Sequence, residues 1–384
     1  MKLRKFQDVD ITGKKILVRS DLNVPMEDGK ITDDFRIVQS AETIRELIAR
    51  GATQVIIVSH MGRPKGITPE LTLRPIAERM SEVLGLPVGF GADASGDVIM
   101  LENIRFDPRE EKNDPAFAAE LAARADIYIN DAFGTAHRAH ASTEGITKII
   151  PSYAGLLIQR EVAALTKIVD APKRPLLAII AGAKISTKIE MMKNLVKKAD
   201  AIIIGGAMGN TFRFAQGYGM GKSLYEANCA DIALEILAAA EDEGCRILLP
   251  TDKAVAKVPE KCADSFIRGI DEIEDDDIIL DAGPESITRY LNEIDQSGTI
   301  LWNGPVGMFE WPNFSRGSVA IARHLAKRTI DGKIISVAGG GDTVAVLTIA
   351  GVLDKLSYVS TAGGAFMEFI EGKILPGVAA LEDK

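Results

Sequence analysis

No stretch of this sequence stays apolar for the ~18 residues that a membrane helix needs. The first residues, MKLRKFQDVDITGKK, are too charged for the apolar segment of a secretion signal. A cytoplasmic location is therefore expected. Cysteine is scarce: Cys229, Cys245 and Cys262 are the only three, and none forms a CxxC pair. An odd count makes no disulfide framework, so they read as buried or idle thiols in a reducing compartment. Positive charge is not in excess either, because 45 Lys and Arg face 54 Asp and Glu for a net charge of −9. That excludes a protein that coats nucleic acid, which needs clustered Lys and Arg, but not a local basic pocket for a small anion. No HExxH occurs, and His137 and His140 have no third ligand at a sensible spacing, so a histidine metal site is not expected. GYGMGKS (Gly217–Ser223) ends like a P-loop, but the first glycine of GxxxxGK(S/T) would fall on Gln216. No GxGxxG follows the first strand of either half, which counts against a nicotinamide site. Short-period repeats and low-complexity segments are missing too.

What is present is a long alternation of strands and helices. The 384 residues exceed the roughly 250–300 at which single cores stop growing, and 46% are hydrophobic, enough for two cores. Short apolar runs recur at Ile16–Arg19, Val55–Ser59, Val98–Leu101 and Ile127–Asn130. They recur again at Leu176–Ala181, Ala201–Ile204, Arg246–Leu249, Ile278–Leu280, Thr299–Trp302, Ile334–Val337 and Tyr358–Ser360. Their continuous hydrophobicity predicts strands buried on both faces of a parallel sheet. Between them lie helical patterns such as Arg36–Arg50, stopped by Gly51, and Asn228–Glu243, stopped by Gly244. The expected fold is α/β, with two Rossmann-like doubly wound parallel-sheet domains joined by a hinge helix. The expected boundaries are 1–155, a hinge and linker over 156–175 that includes the Pro-rich APKRP (Ala171–Pro175), and 176–370. The acidic run DEIEDDD (Asp271–Asp277) reads as a solvated loop.

Ligands of open α/β sheets bind beyond the carboxyl ends of the strands, so those ends carry the functional signal. In the first half they present Asp21, Leu22 and Asn23, then His60, Met61, Gly62 and Arg63, then Arg105, then His137, Arg138 and His140, while Arg36 opens the next helix. Arg forks suit phosphate and carboxylate. In the second half they present glycine: AGAK (Ala181–Lys184), IGGAMGN (Ile204–Asn210), DAGPES (Asp281–Ser286), WNGPVGMFE (Trp302–Glu310), AGGGDT (Ala338–Thr343) and STAGGAF (Ser360–Phe366). Glycine lets backbone approach a ligand, and helix starts offer free N–H groups to an anion. Lys184 and Lys188, read as one helical turn apart, could reach one phosphate chain. Asp342, at a helix start beside three glycines, is placed to hold Mg²⁺ against phosphates.

The runs RSDLNVP (Arg19–Pro25), SHMGRP (Ser59–Pro64), LENIRF (Leu101–Phe106), NDAFGTAHRAH (Asn130–His140), WNGPVGMFE, GGGDT and EGKILPGVA (Glu371–Ala379) occur in the order found in phosphoglycerate kinases, and the chain resembles that family over essentially its whole length. The resemblance implies a first lobe that binds 3-phosphoglycerate or 1,3-bisphosphoglycerate through Asp21, Leu22, Asn23, Arg36, His60, Met61, Gly62, Arg63, Arg105 and Arg138. It implies a second lobe that binds MgADP or MgATP. There Lys184 and Lys188 would meet the phosphate chain, and Gly283, Asn303 and Glu310 would contact the nucleotide, Glu310 at the ribose. Gly339, Gly340, Gly341, Asp342 and Thr343 would form the phosphate loop, with Asp342 on the metal. Arg36, Lys184, Gly341 and Gly364 would serve catalysis. It further implies a monomer with neither nucleic-acid nor membrane partners, whose segment 371–384 packs back on the first lobe. The family usually carries glycine where Ala181, Ala207 and Ala362 stand here. If Ala362 had to adopt a positive φ, the cost would be roughly 1 kcal/mol.

The implied reaction transfers an acyl phosphate to ADP. In reverse, a carboxylate already ionised at neutral pH attacks phosphorus, so no general base is required. Alignment and charge neutralisation remain, with closure about residues 151–175 to join the two halves and exclude water. Two other readings share the fold class: a two-domain nicotinamide dehydrogenase, separated by ADP binding without nicotinamide binding, and a non-catalytic phosphometabolite or nucleotide-binding protein, separated by a coupled assay of ATP formation.

Overall fold

The computed structural model describes residues 1–360 and 362–383; Thr361, in the last glycine-rich loop, and Lys384, at the end of the C-terminal segment, lie outside the described residues. The chain separates into two compact units: Met1–Ala163 with the segment from Ile374 onward, and Ala164–Lys373. The division falls within the helix Leu156–Asp170.

In the first unit Ile16, Leu17 and Val18 are all fully buried although neighbouring side chains point to opposite faces. Ile16 and Val18 pack with Ile37, Ile44 and Leu47, whereas Leu17 packs with Ile56, Val58 and Tyr128. The sheet is thus covered on both faces, and each such residue contributes about 1.5–3 kcal/mol of burial. Its strands lie in the order Gly89–Phe90, Val98–Met100, Gln54–Val58, Lys15–Ser20, Ile127–Asp131, Ser152–Ala154, all neighbours parallel. The helix Phe35–Ala49 buries Ile37, Ala41, Ile44 and Leu47, a helical spacing, against that sheet. The C-terminal segment is tied in by Gly377, whose N–H donates to the Ala136 carbonyl at 2.8 Å, and by the Arg4 guanidinium on the Ala380 carbonyl at 2.6 Å.

The second unit has a parallel sheet in the order Arg246–Leu248, Ala201–Ile204, Leu176–Ile180, Thr299–Asn303, Ile335–Gly339, Tyr358–Ser360. Numbered along the chain this is 3-2-1-4-5-6, so the winding reverses between Leu176–Ile180 and Thr299–Asn303. Trp302 beside that reversal is fully buried, with its indole N–H on the Gly304 carbonyl at 2.8 Å.

Three sequence expectations change. Ile278–Leu280 is not in the parallel sheet. It belongs to Ile278–Ala282, which joins Asp252–Ala256 and Phe266–Gly269 in a separate antiparallel sheet. A three-residue apolar run carries no sign of strand direction, and Lys253 hid the central strand. The acidic run is not wholly solvated either. Asp277 is fully buried and paired with Lys257 at 2.8 Å and Arg268 at 3.4 Å, and the Lys257 ammonium also meets Glu274 and Asp276 at 2.6 Å each. Lastly, Lys184 and Lys188 do not share a helix. The helix Ile189–Val196 begins after Lys188, and Lys184 lies in the loop before the turn that leads into it.

Candidate active site

The winding reversal in the second unit brings Ala181 and Asn303 side by side at two strand ends. The Lys188 amine donates to the Ala181 carbonyl at 2.6 Å and to the Asn303 side-chain oxygen at 2.6 Å. The Asn303 amide donates onward to the Gly339 carbonyl at 2.7 Å, and the Thr343 hydroxyl accepts the Gly304 N–H at 2.8 Å. Three loop segments, 181–188, 303–304 and 339–343, are thereby locked together. Burial lowers the Lys188 amine to about 8, with Asp342 pulling the other way. Gly304 has φ +95°, and a Cβ there would lie 2.1 Å from the Ala181 carbonyl oxygen, so only glycine fits the crossing.

Two cavities open above this clamp. One, of about 410 Å³, is lined by Ala181, Gly182, Lys184, Lys188, Asn303, Gly304, Gly340, Gly341, Asp342 and Thr343 among others. The helix Gly341–Ala350 starts there with no side-chain cap, which leaves first-turn N–H groups for an anion. The other, of about 430 Å³, has apolar walls that include Leu224, Leu280, Val306, Met308 and Trp311, with the exposed Glu310 at its edge. Gly182, Ala183, Pro305 and Asp342 line both. A polar chain in the first cavity can therefore continue into a flat apolar group in the second.

In the first unit the strand ends form a cationic network. Arg19 is fully buried; it donates to the Ser142 hydroxyl at 3.0 Å, to the Ser20 carbonyl and to His60 Nδ1 at 3.0 Å. Burial first, then the charges of Arg19, Arg105 and Arg36, hold His60 well below its usual pKa, so its ring is neutral. Arg36 pairs with Asp21 at 3.0 Å. Asn23 accepts the Gly62 N–H at 2.9 Å, and the Gly62 carbonyl accepts from Arg105 at 2.8 Å. Arg105 also meets Glu111 at 3.3 Å. Arg138 donates to His137 Nε2 at 3.1 Å, Leu22 and Met61 are buried, and Arg63 is exposed. His140 falls to about 4 through burial and the neighbouring arginines.

Of the residues expected in the second unit, Lys184, Lys188, Asn303, Gly340, Gly341, Asp342 and Thr343 line the smaller cavity, and Glu310 and Asp342 the larger. Gly339 sits beneath, offering its carbonyl to Asn303 and Thr343. Gly364 opens the helix Gly364–Ile370, next to Gly363 of the smaller cavity. Gly283 lines neither cavity; it is buried where a Cβ would meet the Asp252 carboxylate at 2.3 Å. Ala362 is not at positive φ, since Asp28 and Asn113 alone among described non-glycine residues are. Sequence reasoning missed Arg19 and Glu110, a fully buried carboxylate that accepts from the Ser142 N–H at 2.9 Å, and also Lys253 within the larger cavity. The signal for Arg19 was an arginine ending an otherwise apolar strand.

Doubly wound sheets, a glycine-lined cradle at a winding reversal and an arginine-rich second set of strand ends define an α/β phosphotransferase, a kinase. The phosphoglycerate kinase family profile matches residues 6–373. The chain belongs to the phosphoglycerate kinase family and carries its kinase activity. It is 52% identical over 394 residues to phosphoglycerate kinase of Rhodopseudomonas palustris, covering 99% of each chain. To the Caulobacter vibrioides enzyme of the same name it is 49% identical, covering 100% of both. The solved structure of phosphoglycerate kinase from Coxiella burnetii superposes with a TM-score of 0.91 at 40% identity, over 99% of this chain and 98% of that one.

Proposed function

We propose that the protein transfers a phosphoryl group reversibly between 1,3-bisphosphoglycerate and MgADP, giving 3-phosphoglycerate and MgATP, by in-line transfer after closure about residues 156–175. The observation that carries the nucleotide half is the pair of adjoining cavities that share Gly182, Ala183, Pro305 and Asp342. The phosphate chain occupies the glycine-lined one, with Lys184, Lys188 and the start of the helix Gly341–Ala350 as its donors. The nucleoside occupies the apolar one, its ribose at Glu310.

The phosphoglycerate half rests on Asp21, Asn23, Arg36, His60, Arg63, Arg105 and Arg138. Neutral His60, whose Nδ1 accepts from Arg19, has its Nε2–H left to donate a hydrogen bond there without adding charge. Arg36 meets the transferring group. In the direction of ATP use, a carboxylate oxygen of 3-phosphoglycerate bonds to the γ-phosphorus while the bond to the ADP oxygen breaks. No proton moves, so no base is needed, and preorganised donors do the work. The exposed Asp342 carboxylate lines both cavities, a hard oxygen ligand that fits Mg²⁺; the ion would supply charge neutralisation at the phosphates. The protein works as a cytoplasmic monomer. A coupled assay of ATP formation from 1,3-bisphosphoglycerate and MgADP tests the proposal: turnover supports it, and nucleotide binding without turnover refutes it.

A further inference from the structure

Behind the strand ends of the first unit runs a buried chain of polar side chains. Arg19 is fully buried and places three donors on neutral acceptors: Nε on the Ser142 hydroxyl at 3.0 Å, one terminal nitrogen on the Ser20 carbonyl, and the other on His60 Nδ1 at 3.0 Å. A guanidinium keeps its charge, and a buried charge needs a partner of opposite sign. That partner stands one residue further along the chain. Glu110 is fully buried, and its two carboxylate oxygens accept the Ser142 hydroxyl at 2.5 Å and the Ser142 N–H at 2.9 Å. Burial pushes the Glu110 carboxyl up, while the Arg19 charge and both Ser142 bonds pull it back down. Ser142 is itself held in place. The Tyr128 hydroxyl donates to its carbonyl at 2.6 Å, and the neighbouring Ala141 N–H donates to the Glu110 carbonyl at 3.0 Å.

The chain has a fixed direction. An ionised carboxylate only accepts, so the Ser142 hydroxyl proton points to Glu110 and its oxygen is left to accept from Arg19. An arginine only donates, so His60 Nδ1 must accept and the ring proton stands on Nε2. His140 Nδ1 lies 3.8 Å from Glu110, beyond a hydrogen bond, and does not compete for the carboxylate. We infer that Glu110 is a positioning residue for phosphoglycerate: through Ser142 and Arg19 it holds the His60 ring in its Nε2–H form, which gives the acid a neutral donor. This rests on the reading of the first unit's strand ends as the acid site. The other tautomer would show an anion the Nε2 lone pair, which repels it. Glu110 and Ser142 act without touching the acid, since both are sealed from solvent.

The test combines nitrogen NMR of the four ring-labelled histidines with steady-state kinetics in the direction of ATP use, on the full chain. The His60 signals are identified by their loss in His60→Gln. In the natural protein His60 shows a protonated Nε2 and an Nδ1 that accepts a hydrogen bond. In Glu110→Gln the amide oxygen faces the Ser142 N–H and the amide NH₂ meets the Ser142 hydroxyl, whose proton loses its acceptor. Ser142→Ala keeps the carboxylate and removes the link. Both variants should release Nδ1 and bring up a share of the Nδ1–H form. Both should raise the KM for 3-phosphoglycerate about tenfold, one hydrogen bond's worth, with the KM for MgATP within about twofold. Ser142→Ala decides the matter should Glu110→Gln fail to fold. A merely structural Glu110 would lower the unfolding midpoint alone. Unchanged His60 signals, or an unchanged KM for 3-phosphoglycerate, overturn the inference. A natural protein that binds no 3-phosphoglycerate refutes the reading of the acid site, and the ring signals still decide whether Glu110 sets the state of His60.

Discussion

The Lys188 amine lies 2.6 Å from the side-chain oxygen of Asn303. The same amine holds the carbonyl of Ala181 at the end of the neighbouring strand, so one side chain fastens the reversal point of the sheet. Its charge faces the smaller cavity while two of its three N–H groups are held by protein acceptors at 2.6 Å, which leaves the third for a phosphate. Lys188 is thus part of the scaffold as well as the charge of the site, and Lys184 nearby is exposed.

Lys188→Met should therefore lower stability. The change leaves the Ala181 carbonyl and the Asn303 oxygen without a shared donor in a half-buried site, a loss of about 2–4 kcal/mol. Urea unfolding measures it, and a variant as stable as the natural protein would remove the clamp.

Lys184→Ala should behave in the opposite way. An exposed side chain changes stability within about 0.5 kcal/mol, yet loss of a phosphate donor should cut kcat at least about tenfold. Unfolding and steady-state rates on one preparation separate the two effects.

The pH dependence of stability should carry the mark of Lys253. Its amine is lowered to about 7 in the folded chain from its ordinary 10.5. Between those values the unfolded chain binds the extra proton, so stability rises with pH across that window. Lys188, lowered to about 8, adds in the same direction over its own range. Asp281, raised by burial to about 7 from 3.8, acts at lower pH: the folded chain keeps its proton longer, and stability falls as pH climbs through that window. Lys253→Met should make the upper limb of the curve shallower between about pH 7 and 10, the Lys188 part remaining, and should push Asp281 further up by removing a neighbouring positive charge, which denaturant titrations at several pH values would reveal.

The doubly wound character of the sheets could be read from the sequence because strands such as Ile16–Val18 and Ala201–Ile204 are buried on both faces and so show unbroken apolar runs. Asp21, His60, Lys184 and Asp342 could be singled out as candidates because each lies in the segment past a strand end or at a helix start. What could not be read depends on contacts distant in sequence. Arg19 is a buried organiser only because Ser142 and His60 fold onto it, and Lys188 is a clamp only because Asn303 arrives beside it. The strand Asp252–Ala256 carries Asp252 and Lys253 inward, each buried, a pattern that local hydrophobicity reads as loop. Asp277 likewise sits in a charge run that looks solvated, and Lys257, Arg268 and the Glu274 N–H make its burial tolerable.

In the proposed reaction one unit grips the acid and the other the nucleotide, with Arg36 serving the transferring group. The most direct measurement is kcat together with MgADP affinity in Arg36→Ala, whose natural side chain rests 3.0 Å from Asp21. The expected result is a kcat lowered at least about 100-fold with MgADP affinity within about twofold of the natural protein. An unchanged kcat, or a loss of MgADP affinity that parallels the loss of rate, would contradict it.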